Sequence, residues 1–301
     1  MKSFKVIIII LAVSSISLNA QDMFKARRLT TDPAQQGFPT WSPDGKSIIY
    51  QYTNLRDTIG KNGLWKISPD GTGTKQVFSG LAEHPRWSPD GRYIVFDADT
   101  GNSISMIPAE GGNPIKFLPD TIHIVSGGLP CWSPDASTIA FKDSRYCLCT
   151  YNLRTGEASR VFRKEGMLLM PGGWSTDGER ILVALMDRLT LKSTLWRISP
   201  DGNGVEEVPG LHENFYRHIA LSPDGTMIVY AAMKGKFLGL YIMPAGGGPS
   251  LPLAVDKRGH TEGAIWSPDG KRIAFTRTKK ANFDIYVMDF NIEKYKKRAG
   301  K

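Results

Sequence analysis

The sequence contains little cysteine, with three in 301 residues. Cys147 and Cys149 lie two apart on a predicted strand, so they point to one face, where a bridge between them would be strained. Cys131 belongs to another strand of the same unit, two spacings of about 4.8 Å away. The sequence therefore predicts three buried thiols. A thiolate metal site on Cys147 and Cys149 is the alternative, although it lacks a second ligand pair.

The motifs of several enzyme classes are also absent. No Gly-x-Ser-x-Gly segment occurs, which excludes the nucleophile elbow of an α/β-hydrolase. The chain has neither a phosphate-binding glycine loop nor a paired zinc motif. No helical period separates its strand patterns either. We therefore expect a binding module rather than an enzyme.

Long apolar runs are missing, apart from one short run near the N-terminus. Residues 6–13 are apolar, follow Lys2 and Lys5, and precede Leu18-Asn19-Ala20, which has the small-residue spacing of a signal-peptidase site. We predict a signal peptide over residues 1–20. A retained membrane anchor is the alternative, but a spanning helix needs about 20 apolar residues. We expect a periplasmic or secreted protein, with no membrane insertion after cleavage.

The formal net charge of +9 is unevenly distributed. Residues 293–301 contain five Lys or Arg and a single Glu, and two further lysines precede the predicted cleavage site. A basic C-terminal tail of this kind is typical of a solvated chain end. We therefore expect no nucleic-acid binding.

One short phrase is repeated six times, with a period of about 45 residues. It reads Trp-Ser-Pro-Asp-Gly, with local departures at Ala136, Thr176 and Leu221. Proline, aspartate and glycine in this order predict a tight hairpin turn. The first positions of the six copies are Trp41, Trp87, Trp132, Trp174, Leu221 and Trp266.

Four short strand patterns accompany each phrase in five of the copies. The sixth copy has three, and the chain then enters the basic tail, whereas residues 26–30 resemble a fourth strand without a unit. We predict an all-β, six-bladed β-propeller with four-stranded antiparallel blades over residues 21–292. Residues 26–30 would close the ring as the outer strand of the last blade, which removes an open sheet edge.

The repeated phrase, the apolar strand after it and third strands such as Ile285-Tyr286-Val287-Met288-Asp289 resemble the WD40-like (PD40) repeat of the TolB-like propeller family. The resemblance covers nearly all of the expected mature chain. It implies the six-bladed fold and a role in the cell envelope, without the folded N-terminal domain of TolB itself. Similar repeats occur in prolyl oligopeptidase-like propellers and in oligogalacturonate lyases.

Candidate binding residues belong to the end of the disc that carries the long, dissimilar loops, since variable loops on a repeated scaffold usually carry binding. All five histidines fall in predicted connections at this end. His84 and His218 share one template position in blades two and five, which we expect to face each other across the channel. The predicted polar ring at the channel mouth comprises Glu83, His84, Arg217, His218, His260 and Glu262.

Such a ring could bind a peptide, a carboxylate or a metal ion. Unrelated surface histidines are the alternative explanation. The repeated tryptophans recur at a structural position, so we assign them to blade packing rather than to ligand stacking. No cofactor is predicted, although the same residues allow a divalent metal ion in the channel.

The sequence thus favours a monomeric TolB-like propeller that binds another envelope protein or a peptide segment. The alternative is a metal-dependent carbohydrate-active enzyme, similar to oligogalacturonate lyase, that uses the histidines of the channel mouth. A structural protein without a specific ligand is the third class.

Overall fold

The repeated phrase forms a hydrogen-bonded hairpin turn. The computed structural model describes residues 25–54, 56, 60–209, 216–256, 258–279 and 282–299, so the predicted signal peptide lies outside the described residues. In the first turn, Ser42 Oγ donates to Asp44 Oδ1 over 2.6 Å, and the backbone N–H of Ser47 donates to Ser42 Oγ over 2.9 Å. The serine-to-aspartate bond measures 2.5 to 2.6 Å in the other five turns. Ala136 takes the left-handed conformation (φ 57°) that glycine adopts in the other copies.

The strands follow one another in groups of up to four per repeat. After β1 (Ala26–Arg28), the first two repeats hold β2 (Gln35–Trp41), β3 (Ile48–Thr53), β4 (Gly63–Ile67), β5 (Lys75–Ser79), β6 (Ala82–Trp87), β7 (Tyr93–Ala98), β8 (Ser103–Pro108) and β9 (Ile115–Lys116). The next two hold β10 (Cys131–Trp132), β11 (Thr138–Lys142), β12 (Leu148–Asn152), β13 (Ala158–Phe162), β14 (Met167–Trp174), β15 (Ile181–Asp187), β16 (Ser193–Ile198) and β17 (Val205–Glu207). The last two hold β18 (Tyr216–Leu221), β19 (Met227–Lys234), β20 (Phe237–Pro244), β21 (Leu251–Ala254), β22 (Thr261–Trp266), β23 (Arg272–Lys279) and β24 (Asn282–Asp289). A 3-10 helix (Asp99–Gly101) follows β7, and helix α1 (Ile292–Ala299) ends the described chain.

These strands form the four-stranded antiparallel blades of an all-β propeller. Four blades are separate sheets, β6–β9, β10–β13, β14–β17 and β18–β21. The remaining strands form one eight-stranded sheet, in which β2–β5 and β22–β24 are two antiparallel runs. A single parallel pairing, between Gln35 and Phe283, joins these runs. Strand β1 pairs antiparallel with β24, at the position predicted for the closing strand.

The core is divided among the spaces between successive repeats. Each of six hydrophobic clusters combines buried side chains from two neighbouring repeats. Ile49 and Leu64 of the first repeat meet Ile94 and Phe96 of the second, for example. Another cluster joins the sixth repeat to the first. Every repeat therefore depends on its two neighbours for burial, as in other repeat architectures.

The tryptophans at the first position of the phrase pack between the blades, which agrees with their structural assignment. Trp41, Trp132 and Trp266 are buried. The Trp132 indole N–H donates to the carbonyl of Arg86 in the preceding repeat over 3.1 Å, and Trp174 donates to Cys131 over 3.3 Å. Trp266 repeats the pattern with Ala220. These three indoles therefore link the innermost strands of neighbouring blades, whereas the Trp87 indole donates to Gly91 of its own turn over 3.1 Å.

The segment predicted to be a solvated basic tail contains helix α1. Its end nearest the propeller is fixed because the N–H of Lys294 donates to Asn291 Oδ1 over 2.9 Å. Tyr295 is only 4% exposed and joins the core cluster of the last two repeats. The sequence pattern missed this anchor because a single aromatic residue is hidden among basic ones. In the portion of the chain that the structure describes, no helix is long and apolar enough to cross a membrane.

The serine–aspartate turns should make stability depend on pH. Hydrogen bonds from Ser133 and Ser137 lower the pKa of Asp135 from 3.8 to about 2. A carboxylate whose pKa is lowered by folding stabilises the protein above its unfolded pKa, and this stabilisation is lost as pH falls through the folded pKa. We expect Asp135→Asn to flatten the decline in the free energy of unfolding between pH 3.8 and about 2, measured by urea denaturation.

Asp120→Asn is the matched control, because Asp120 is exposed and belongs to no serine–aspartate turn. An identical pH dependence in the wild type and in Asp135→Asn would contradict the prediction.

A second prediction concerns the ion pair that holds the closing strand. Arg28 Nη2 of β1 lies 2.7 Å from Asp284 Oδ2 of β24. Asp284 is fully buried, whereas the Arg28 side chain is 30% exposed. Because Arg28→Ala would remove a cation that lies 2.7 Å from a fully buried carboxylate, we expect a loss of about 3 kcal/mol in the free energy of unfolding. A double-mutant cycle with Asp284→Asn should give a clear coupling energy.

The pair between Arg92 and Asp90 is a matched control, since it has the same 2.7 Å separation but lies at the surface. Its cycle should give at most about 1 kcal/mol. Equal coupling energies for the two pairs would contradict the assignment of Arg28 to ring closure.

Candidate functional site

The innermost strands carry a backbone irregularity three residues before the phrase. At this position Phe38, His84, Leu129 and His218 have positive φ angles of 49° to 51°, and Gly263 has 63°. The strand pairing shifts register around four of these residues, as at a β-bulge. A left-handed conformation costs a non-glycine residue about 1–2 kcal/mol. Such strain is often retained where a functional site needs it.

Three of these residues bring their rings together at the channel axis. The Phe38 ring lies 4.3 Å from the His84 ring and 4.8 Å from the His218 ring, measured between centroids. The two histidine rings stack at 6.0 Å. His84 and His218 therefore meet across the channel, as their shared template position predicts. They do so as part of a packed cluster with Phe38, which the sequence analysis did not identify.

A buried aspartate orients His84. Asp97 is fully buried and accepts hydrogen bonds from the backbone N–H groups of Gly128, at 2.7 Å, and Leu129, at 3.2 Å. Its Oδ2 lies 2.9 Å from His84 Nδ1. With Nδ1–H donating to this carboxylate, Nε2 of neutral His84 is the remaining acceptor.

His218 has a different carboxylate neighbour. Its Nδ1 lies 3.4 Å from Glu262 Oε2, and both side chains are largely buried. Glu262 also lines a cavity of about 300 Å³ with Glu83 and His84. The cluster thus places two imidazoles and nearby carboxylates around one phenylalanine. It can donate and accept hydrogen bonds beside an apolar ring.

Not every residue of the predicted polar ring joins this cluster. His260 lies apart, where its ring contacts Phe237 at 5.4 Å and its Nδ1 accepts the Leu238 N–H at 3.2 Å. The backbone of Arg217 belongs to β18, but its side chain lies outside the described residues, as does His212. Four predicted residues, Glu83, His84, His218 and Glu262, therefore lie around the channel axis.

The expectation that all histidines lie in connections is wrong for two of them. His84 belongs to β6 and His218 to β18. The strands extend through the bulge, so a bulged position was mistaken for the end of a loop. This correction matters because strand residues hold their side chains more rigidly than loop residues do.

Two cations near the cluster were also missed. Arg86 and Lys142 line a second cavity of about 260 Å³ with His84, His218 and Phe38. Burial lowers the pKa of Arg86, and it lowers that of Lys142 despite the opposing effects of Asp97 and Asp143. Arg86 stands immediately before Trp87, whereas the other repeats have uncharged residues at this position. This contrast in the sequence could have identified Arg86 as a candidate site residue.

A metal centre does not fit the described residues. Among them, no group of three His, Cys, Asp or Glu side chains could hold a metal ion. Cys131, Cys147 and Cys149 are buried free thiols, and burial raises the pKa of Cys131 to about 12. The hydrogen bond between Cys147 and Cys149 raises the pKa of Cys149 and lowers that of Cys147, so the pair does not supply two thiolates. A protonated thiol is a poor metal ligand.

A larger depression of about 790 Å³ lies at the opposite end of the disc, beside helix α1. Its walls include the turns that begin at Ser222 and Ser267, whose serines donate to Asp224 and Asp269. Because these carboxylates are already bonded within their turns, the axial cluster is the stronger candidate site.

Comparisons with known proteins agree with the class that the fold defines, a β-propeller with four-stranded antiparallel blades. No family model matches the chain. An uncharacterized protein of Agrobacterium fabrum is 26% identical over 264 residues, which cover 79% of this chain and 83% of that protein.

Two of the solved structures that share the fold illustrate its range. One is a protein from Agrobacterium tumefaciens assigned as a TolB, with 23% identity, a TM-score of 0.64, and coverage of 88% of this chain and 94% of that one. The other is an oligogalacturonate lyase in complex with manganese, with 12% identity, a TM-score of 0.62, and coverage of 92% and 96%. The chain therefore has a TolB-like propeller fold, which oligogalacturonate lyase also has.

Gly263 allows a direct test of the packing around Phe38. A Cβ atom at Gly263 would lie 3.3 Å from Phe38 Cδ1 and 3.3 Å from Thr276 Oγ1. We expect Gly263→Ala to lower the free energy of unfolding by the left-handed strain of about 1–2 kcal/mol and by a further overpacking term of about 1 kcal/mol. Chemical denaturation measures the total loss.

Gly166→Ala isolates the strain alone, since Gly166 also has a positive φ (75°) but its Cβ would meet nothing within 4 Å. Equal losses for the two variants would mean that the cluster around Phe38 is not tightly packed.

Proposed function

We propose that this protein is a six-bladed, TolB-like binding scaffold of the cell envelope. It holds another envelope protein, or a peptide segment, at the end of the disc that carries the loops between second and third strands and between repeats, which we call the loop face. The predicted signal peptide supports a periplasmic or secreted location. The binding site centres on Phe38, His84 and His218.

One observation carries this proposal, namely the distribution of exposed large hydrophobic side chains. Among the described residues, five of eight belong to the loop face: Leu81, Val125, Leu189, Leu191 and Met233. Leu189 is 93% exposed. An end of the molecule that carries most of the exposed large apolar side chains is a candidate interaction surface. The innermost strands are entered from this same end, so a partner on this face would approach the axial cluster.

The count of six blades treats the eight-stranded sheet as two. Its two runs share only the pairing of Gln35 with Phe283, whereas each run has complete antiparallel ladders of its own. The core cluster between the sixth and first repeats supports the same count, because packed faces separate blades. Strand β1 then serves as the fourth strand of the sixth blade.

A metal-dependent carbohydrate-active enzyme is the second candidate. The shared fold with an oligogalacturonate lyase and the convergence of His84 and His218 favour it. Against it, the described residues provide no set of three metal ligands. The binding scaffold is therefore the function that the geometry supports better.

The proposal is tested by site-specific photo-crosslinking on the mature chain in an envelope extract of its own cells. A crosslinker at Leu189, on the loop face, should capture a discrete protein partner. One at Val205, which is 42% exposed on an outer strand, should not. Combining the Leu189 crosslinker with His84→Ala/His218→Ala should reduce capture at least about tenfold, as expected when central contacts are lost.

His123→Ala is the control for these substitutions, because His123 is exposed and distant in the template from the axial position. It should retain full capture. Equal capture from the Leu189 and Val205 positions would contradict a loop-face partner, and undiminished capture by a folded His84→Ala/His218→Ala variant would contradict the axial site.

A further inference from the structure

The cavity of about 260 Å³ beneath the axial cluster has a cationic side. Arg86 and Lys142 line it, together with Ser126 and Tyr146. Ser126 is exposed, so the cavity reaches the surface at the loop face. Lys142 is only 4% exposed, which is unusual for a lysine. Two cations in so small a space point to an anionic ligand.

Both cations have donors to spare. The Lys142 ammonium donates to the carbonyls of Val125 and Ser126, each over 3.2 Å, which uses two of its three N–H groups. Its charge also faces the Tyr146 ring at 5.1 Å. Arg86 Nη1 donates to the carbonyl of Pro85 over 3.1 Å. A guanidinium has five N–H donors and can bind a carboxylate through two of them.

Two nearby carboxylates, Asp97 and Asp143, act on these cations electrostatically, but their hydrogen bonds go to other groups. Asp97 accepts two backbone N–H groups and faces His84. Asp143 accepts the guanidinium of Arg160 over 2.8 Å and the N–H groups of Arg145 and Cys147. Neither carboxylate is among the residues that line the cavity. Its lining therefore presents two cations and no anion.

Much of the remaining lining is apolar, and we call this part the apolar wall. It includes Leu129, Leu168, Met170, Met186 and Ile219. A ligand with many hydroxyl groups would lose hydrogen bonds to water against this wall, at a cost of about 1–3 kcal/mol for each group left unpaired. An aliphatic or aromatic side chain beside the carboxylate would instead bury apolar surface. The volume is below the roughly 300–1,000 Å³ of pockets for drug-sized molecules, which suits a single terminal residue.

We propose that this cavity binds the C-terminal carboxylate of a peptide or protein, with the carboxylate between Arg86 and Lys142 and the last side chain against the apolar wall. The inference rests on the proposed binding function and specifies the chemistry of the segment that the loop face receives. Arg86 would bind the carboxylate through two N–H groups, and Lys142 through its third.

The test uses isothermal titration of the mature protein with N-acetyl-alanyl-leucine, whose carboxylate is free, and with the same dipeptide as its C-terminal amide. We expect the acid to bind and the amide to bind at least about tenfold more weakly, because the amide carries no charge. Arg86→Gln should weaken the acid at least about tenfold and leave the amide unchanged. Arg92→Gln, on an exposed turn, should bind the acid as the wild type does.

Lys142→Gln provides a second variant if Arg86→Gln does not fold, and it should show the same selective loss for the acid. Equal binding of acid and amide, wild-type affinity in a folded Arg86→Gln variant, or no binding of the acid at millimolar concentration would each overturn the proposal. Tighter binding of galacturonate than of the dipeptide acid would overturn the peptide assignment. Capture of a partner through Leu189 that persists in Arg86→Gln would leave the binding scaffold intact while refuting the carboxylate site.

Discussion

Burial of each blade against both of its neighbours is the constraint on which the rest of this structure depends. A four-stranded sheet has two faces, and here both contribute to core clusters shared with the next and the preceding repeat. Such an array leaves an exposed apolar face at each end unless it closes on itself. Closure explains why β1 pairs with β24 and why the cluster between the last and first repeats exists. The ion pair of Arg28 with buried Asp284 fixes this closure.

Closure in turn brings the innermost strands to a common axis, where equivalent positions of different repeats meet. Where a bulge precedes the phrase, the bulged residue departs from regular strand geometry. Residues other than glycine rarely adopt this left-handed conformation because it is sterically strained, yet a phenylalanine, a leucine and two histidines adopt it here. The strain is tolerated because the surrounding ladders and core clusters hold the backbone. The same geometry makes Phe38 a neighbour of both His84 and His218.

Much of the fold could be predicted from the sequence, because its determinants are local and repeated. The turns, the strands after them and the closing strand follow from proline, aspartate, glycine and alternating apolar residues. The meeting of His84 and His218 followed from their shared template position. The ring of Phe38 between them could not be predicted, because Phe38 appears as an ordinary apolar strand residue. Asp97 was missed for a similar reason, since its role depends on the loop containing Gly128 and Leu129, which comes from the next repeat.

The repeated residues form the blades of the propeller, whereas residues that differ between the repeats line the candidate site. The residue before the phrase is threonine, arginine, cysteine, glycine, alanine and isoleucine in the six repeats, so only Arg86 introduces a charge there. At this position the carbonyl serves the same purpose in three repeats, accepting an indole N–H from the next blade. In these three repeats the link between blades uses the backbone, so it does not depend on which side chain stands there. A charge placed there enters the channel on a rigid strand, which holds it in position for a ligand before the ligand arrives.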